Sequence, residues 1–168
     1  MKSDPLITYR RPPATLDRTV LESFAEMLRS RVARGNVFHC RITNDAELRA
    51  LNRTFRRKNY ATDVLSFPGV EERRADRKSA PPYLGDIAIS LQRARAQARQ
   101  WGHSIEDEIR ILMLHGVLHL TGLDHQTGDG KMAREEKRWR AEFGLPETLI
   151  ARAHRQVSRV SKLKKGAA

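Results

Sequence analysis

Three of the six histidines fall within eleven residues, in the stretch His115-Gly116-Val117-Leu118-His119-Leu120-Thr121-Gly122-Leu123-Asp124-His125. The chemistry this spacing suits is metal ligation. Positions i and i+4 of a helix stack on one face with β-carbons about 5–6 Å apart. His115 and His119 can therefore each bring an imidazole nitrogen to about 2.0–2.1 Å from one zinc ion. Gly122 can adopt the left-handed conformation that ends a helix, and the turn lets His125 approach the same ion from another side. Three protein ligands leave a fourth position open, which is the catalytic pattern, whereas structural zinc closes its shell with four ligands, usually rich in cysteine. Cys40 is the only cysteine, so a cysteine-rich structural site and a disulfide scaffold are both excluded. Asp124 is placed to accept a hydrogen bond from a ligand N–H, and an Asp beside a glycine turn is also an ordinary turn residue.

The frame H-x-x-x-H-x-x-G-x-x-H resembles the metal site of the metzincin proteases, in which the residue after the first histidine is the glutamate general base. Here that residue is Gly116, which cannot take a proton from water. The missing carboxylate lowers a peptidase reading, and charge favours a phosphodiester as the scissile group. The 168 residues carry 32 Lys+Arg against 20 Asp+Glu, a formal net charge of +12. Such an excess attracts polyanions, in a cell chiefly nucleic acids and anionic lipid surfaces, and the sign alone does not choose between them. It is clustered at Arg53, Arg56, Arg57 and Lys58, at Arg93, Arg95 and Arg99, and in a C-terminal run with Arg152, Arg155, Arg159, Lys162, Lys164 and Lys165. No apolar run reaches the roughly 18 residues of a membrane helix, and the first residues lack a signal-peptide core, so the expected compartment is the cytoplasm.

The elements that must position these groups are legible in outline. Leu6 to Tyr9, Val37 to Ile42, Val64 to Phe67 and Leu84 to Ser90 read as strands, with Ile87 and Ile89 on one face. Leu16, Val20, Phe24, Leu28 and Val32 recur at helical spacing, with Asp17 as N-cap and Gly35 as stop. Asn44 followed by Glu47 resembles a capping box opening a helix through Leu48, Leu51 and Phe55. Helices are also expected over Leu91 to Trp101, from Ser104 through the almost wholly apolar Ile109 to Leu120, over Lys131 to Phe143, and from Glu147 into the tail. Glu71 to Pro82 reads as a charged loop. Strands early and helices late indicate a single α+β domain, placed at 1–161, with a basic tail at 162–168.

The stretch HGVLHLTGLDH resembles the signature of the YbeY family of bacterial endoribonucleases, usually H-G-x-L-H-L-x-G-[aromatic]-D-H, and departs from it at Leu123. LNRTFRRKNYATDVLSFP, from Leu51 to Pro68, and LGDIAIS, from Leu84 to Ser90, are similar to two further blocks of that family in the same order. The resemblance implies a four-stranded mixed sheet packed with helices and a metal-binding helix near the centre. It also implies one zinc per chain on His115, His119 and His125, and single-strand-specific cleavage of RNA in small-subunit ribosomal RNA 3′-end maturation and ribosome quality control. The family's essential arginine matches Arg56.

On that footing a zinc ion would polarise phosphate or activate water, and Arg56 would neutralise transition-state charge with its planar guanidinium. Asp63 and Asp86 are the carboxylates to inspect as general base beside Asp124, and each is equally an ordinary turn or cap residue. Arg53, Arg57, Lys58 and Tyr60 are candidates for RNA contact; Phe55, Tyr60, Phe67 and Tyr83 are the nearby aromatics for stacking, of which Phe67 reads as core and Tyr60 and Tyr83, in loop-like sequence, suit the role better. The expected partners are single-stranded RNA, ribosomal RNA and the small ribosomal subunit, with neither DNA nor membrane. Two rival readings stand: a zinc hydrolase of the metalloprotease type, and a non-catalytic zinc-containing ribosome- or RNA-binding protein.

Overall fold

The computed structural model describes residues 4–70, 81–123 and 130–146. The elements run β1 (Ile7–Tyr9), α1 (Arg18–Arg31), β2 (Val37–Thr43), α2 (Asp45–Arg56), β3 (Val64–Pro68), β4 (Tyr83–Ser90), α3 (Leu91–Trp101), α4 (Ile105–Leu120) and α5 (Lys131–Glu142). The four strands form one mixed sheet in the order β1-β2-β4-β3. β1 pairs with β2 and β2 with β4 in parallel, while β3 lies antiparallel to β4 at the edge. This is the expected α+β architecture. The expected helix from Glu147, most of the 71–82 loop, and the 162–168 tail lie outside the described residues.

Side chains alternate across a strand, so the sheet has two different faces. Cys40 and Ile42 of β2 with Ile87 and Ile89 of β4 point into the main core, which Phe24 and Leu28 of α1 and Leu112 and Val117 of α4 complete. Burial pushes the Cys40 thiol up to about 12, so it packs as a small protonated apolar group. Leu65 and Ala88 point to the other face, where they meet Leu48 of α2 and Ala61 in a small separate cluster.

Helix ends follow the expected signals. Asp17 accepts from the Val20 N–H, Asn44 from the Glu47 N–H and Ser104 from the Asp107 N–H. Two details differ from the sequence reading. The buried stripe of α1 is Leu21, Phe24, Ala25 and Leu28, and Val20 is exposed, because the stripe takes both the i+3 and the i+4 neighbour. The Asn44–Glu47 pair forms only half a capping box. The Glu47 carboxylate turns instead to Thr43 Oγ1 at 2.5 Å, Arg41 Nε at 2.6 Å and Arg10 Nη1 at 3.3 Å. Burial pushes Glu47 up, but these hydrogen bonds and the Arg41 charge outweigh it and hold the carboxyl below its usual range.

Gly85 marks where β3 and β4 close. Its φ is +141°, and a β-carbon there would stand 2.1 Å from the Phe67 carbonyl oxygen. Only glycine fits that crossing, beside the irregularity in the β2–β4 register at Val37/Phe38.

Candidate metal and RNA site

Eleven of the sixteen residues of α4 are buried, which fixes the helix against the sheet and with it the directions of its side chains. His115 and His119 project from one face. Their Nε2 atoms lie 3.2 Å apart, with ring centroids at 4.8 Å and planes at 73°. Two nitrogens each about 2.0–2.1 Å from a tetrahedral ion are separated by roughly 3.3–3.4 Å, so the pair fits a shared metal. His115 Nδ1 lies 3.1 Å from Glu136 Oε2 on α5, and both side chains are buried, Glu136 to 1% exposure. Donation from Nδ1 to that carboxylate places the His115 lone pair on Nε2, facing His119. A proton on His119 or a cation shared by both rings can occupy the space between the nitrogens.

The chain leaves the helix as the sequence suggested. Gly122 has φ +93°, its N–H reaches the His119 carbonyl, and the Leu123 N–H reaches the Leu118 carbonyl. These two bonds form the left-handed helix stop that glycine favours. Asp124 and His125 lie outside the described residues. Among the described residues no group of three or more histidine, cysteine or carboxylate side chains converges as a metal site.

Gly116 faces the sheet. A β-carbon there would lie 2.9 Å from Ile87 Cγ2, and its carbonyl accepts from Ser66 Oγ at 3.3 Å. The glycine that replaces the metzincin glutamate is therefore a packing residue at the contact of α4 with β4.

The remaining sequence candidates are distributed as follows. Arg53 and Arg56 are exposed in the last turn of α2, Arg57 follows in the left-handed conformation at φ +55°, and Lys58 and Tyr60 are exposed beyond it. The Tyr60 carbonyl accepts from the buried Asn52 amide at 2.9 Å, tying this loop to the helix. Asp63 accepts from Gln97 Nε2 at 3.0 Å and from the Val64 N–H at 2.9 Å, which anchors the start of β3 to α3. Asp86 is exposed and alternates with Ile87, so it points from the face opposite α4. The two histidines are thus brought together, while Arg56 sits in the layer across the sheet.

Sequence reasoning missed Glu136. The signal was present: Met132, Glu136, Trp139 and Phe143 form one stripe at helical spacing, and the acid occupies an apolar position in it. It named Phe55 among the nearby rings but set it on the apolar stripe of α2 and preferred Tyr60 and Tyr83, whereas the Phe55 ring is 65% exposed.

Comparison with known proteins matches this framework. The family model described as Endoribonuclease YbeY matches residues 11–144. An Endoribonuclease YbeY from Solibacter usitatus is 60% identical over 146 residues, covering 87% of this chain and 92% of the relative. One from Koribacter versatilis is 46% identical over 124 residues, covering 74% and 76%. A solution structure from Thermotoga maritima superimposes with a TM-score of 0.52 at 26% identity, covering 79% of this chain and 85% of the other. The chain belongs to the endoribonuclease YbeY family.

Proposed function

We propose that this chain is a zinc-dependent endoribonuclease that cleaves single-stranded RNA in ribosomal RNA processing, at a site held by His115, His119 and His125. The observation that carries the reading is the 3.2 Å approach of the two Nε2 atoms with Glu136 fixing the ring of His115. An all-imidazole set suits zinc among the common divalent ions. The chemistry such an ion supplies when bound is Lewis acidity toward a phosphodiester oxygen.

The chain's own groups do the rest. Glu136 holds the His115 tautomer, and Arg56, exposed in the last turn of α2 on the other face, neutralises charge on the phosphate of a strand that crosses the β3 edge to the histidines. Arg53, Arg57 and Lys58 track the RNA backbone, and Tyr60 offers a ring to an unpaired base. Of the carboxylates, Asp124 is retained as the proton acceptor because it adjoins His125, whereas Asp63 and Asp86 are directed elsewhere. The peptidase alternative loses ground here: the position that would carry its base packs against Ile87. Among the described residues no helix is long and apolar enough to cross a membrane. The proposed place of work is beside the small ribosomal subunit in the cytoplasm.

The test measures zinc content and cleavage of a single-stranded RNA on the same preparations of wild type, His119→Ala and Arg56→Ala. Loss of both zinc and cleavage in His119→Ala is expected, with zinc kept and cleavage reduced at least about a hundredfold in Arg56→Ala. Equal cleavage by all three proteins would return the chain to a zinc-bearing binding protein.

A further inference from the structure

Phe55 stands out on the surface. Its ring is 65% exposed, yet it is not loose: it lies against Phe67 of β3 with centroids 5.1 Å apart and planes at 59°. Scattered exposed apolar side chains are ordinary. This one differs in having a second aromatic ring behind it, which restricts its rotamers, and four exposed cations within three residues of it along the chain. Arg53, Arg56, Arg57 and Lys58 are all exposed, and no acid interrupts residues 53–58. An aromatic ring held in place on a basic stretch of surface is a combination that can hold an unpaired base while its phosphates meet nearby cations.

The strand beneath links this face to the histidines. Ser66 points to one side of β3 and reaches the Gly116 carbonyl of α4; Phe67, the next residue, points to the other side and meets Phe55. β3 is an edge strand of the sheet, so no further strand separates the two faces there. A duplex cannot use the aromatic face, because its bases are buried in their own stack.

We propose that Phe55, backed by Phe67, is a base-stacking platform that holds one unpaired nucleotide of the RNA substrate on the far side of β3 from His115 and His119. This rests on the RNA-cleaving reading above. The platform makes selection of single strands a property of this surface as well as of the site of cleavage.

The experiment compares wild type with Phe55→Ala, Phe55→Leu and Phe55→Trp, using a single-stranded RNA oligonucleotide carrying 2-aminopurine. Binding is read by fluorescence, cleavage by KM and kcat, and folding by thermal melting. Wild type and Phe55→Trp should bind with quenching of the probe. Phe55→Ala and Phe55→Leu should bind about 5- to 100-fold more weakly, the loss expected for one base–aromatic stack. Their KM should rise while kcat at saturation and melting temperature hold. Binding and quenching by Phe55→Ala equal to wild type overturn the platform alone. If wild type binds no single strand, the platform and the RNA-cleaving reading fall together.

Discussion

On one side of the sheet α4 buries eleven of its sixteen residues, while on the other α2 buries two of twelve, Leu48 and Asn52. The first helix carries the histidine pair; the second carries the basic cluster and Phe55. A metal site tolerates little positional error, since donor distances are set to a few tenths of an ångström, so its ligands belong on an element that cannot shift. A surface that follows a flexible polyanion needs charge and reach more than fixed geometry, and an amphipathic helix lying on a small apolar cluster supplies both. The two faces divide precision from adaptability.

Core truncations give the largest test of that division. Leu112 and Leu48 are both fully buried, but Leu112 lies within the main core and Leu48 in a cluster of four buried residues. Leu112→Ala should cost about 3–5 kcal/mol and Leu48→Ala about 2–3 kcal/mol in urea unfolding, because the thinner layer can collapse around the lost methyl groups. Equal costs, or the reverse order, would break the comparison.

Glu136→Gln comes next. The amide keeps the shape of the buried side chain but removes the negative charge beside His115 Nδ1. Metal affinity should fall about 10- to 100-fold by competition against a chelator, with RNA binding by metal-free protein unchanged. An unchanged metal affinity would show that Glu136 serves packing alone.

The smallest effect contrasts two helix ends. α3 stops at Gly102 with φ +72°, and its N–H and that of His103 both reach the Ala98 carbonyl. α2 also stops on a left-handed residue, Arg57, whose N–H and that of Lys58 both reach back to the Asn52 carbonyl, one residue wider than in α3, and here a side chain occupies the left-handed position at φ +55°. That conformation costs a non-glycine residue about 1 kcal/mol. Arg57→Gly should therefore stabilise the fold by up to about 1 kcal/mol while weakening RNA binding and reducing its salt dependence by about one phosphate contact. A stabilised variant with unaltered salt dependence would remove Arg57 from the RNA path. A locally unfavourable residue retained at a functional surface is where consistency between sequence and backbone is expected to lapse.

These cases also mark what could be read in advance. His115 and His119 were legible because i and i+4 on an apolar helix leave one geometric outcome, and the strand–helix order followed from punctuation by Asp17, Asn44, Ser104 and Gly122. Glu136 was not, since an acid in a helix as polar as Lys131–Glu142 looks like surface until α4 is packed against it. Phe55 was misplaced because its spacing from Leu48 and Leu51 suits a buried stripe, and only the tertiary arrangement shows the ring out at the rim of the small cluster. Periodicity reports which residues share a face; it does not report where the opposing surface ends.

The contact between His115 and Glu136 also fixes where two helices stand. It joins residues 21 positions apart, so the C-terminal half of α4 and the first turns of α5 are held together by a side-chain contact of the fold itself. His125 falls midway in sequence between Leu120 and Lys131. For the proposed three-histidine site, part of the entropy of bringing the third donor to the pair would thereby be met during folding, as a raised local concentration. On that proposal, metal uptake would depend less on gathering ligands from distant parts of the chain than on the two anchored helices on either side of the third.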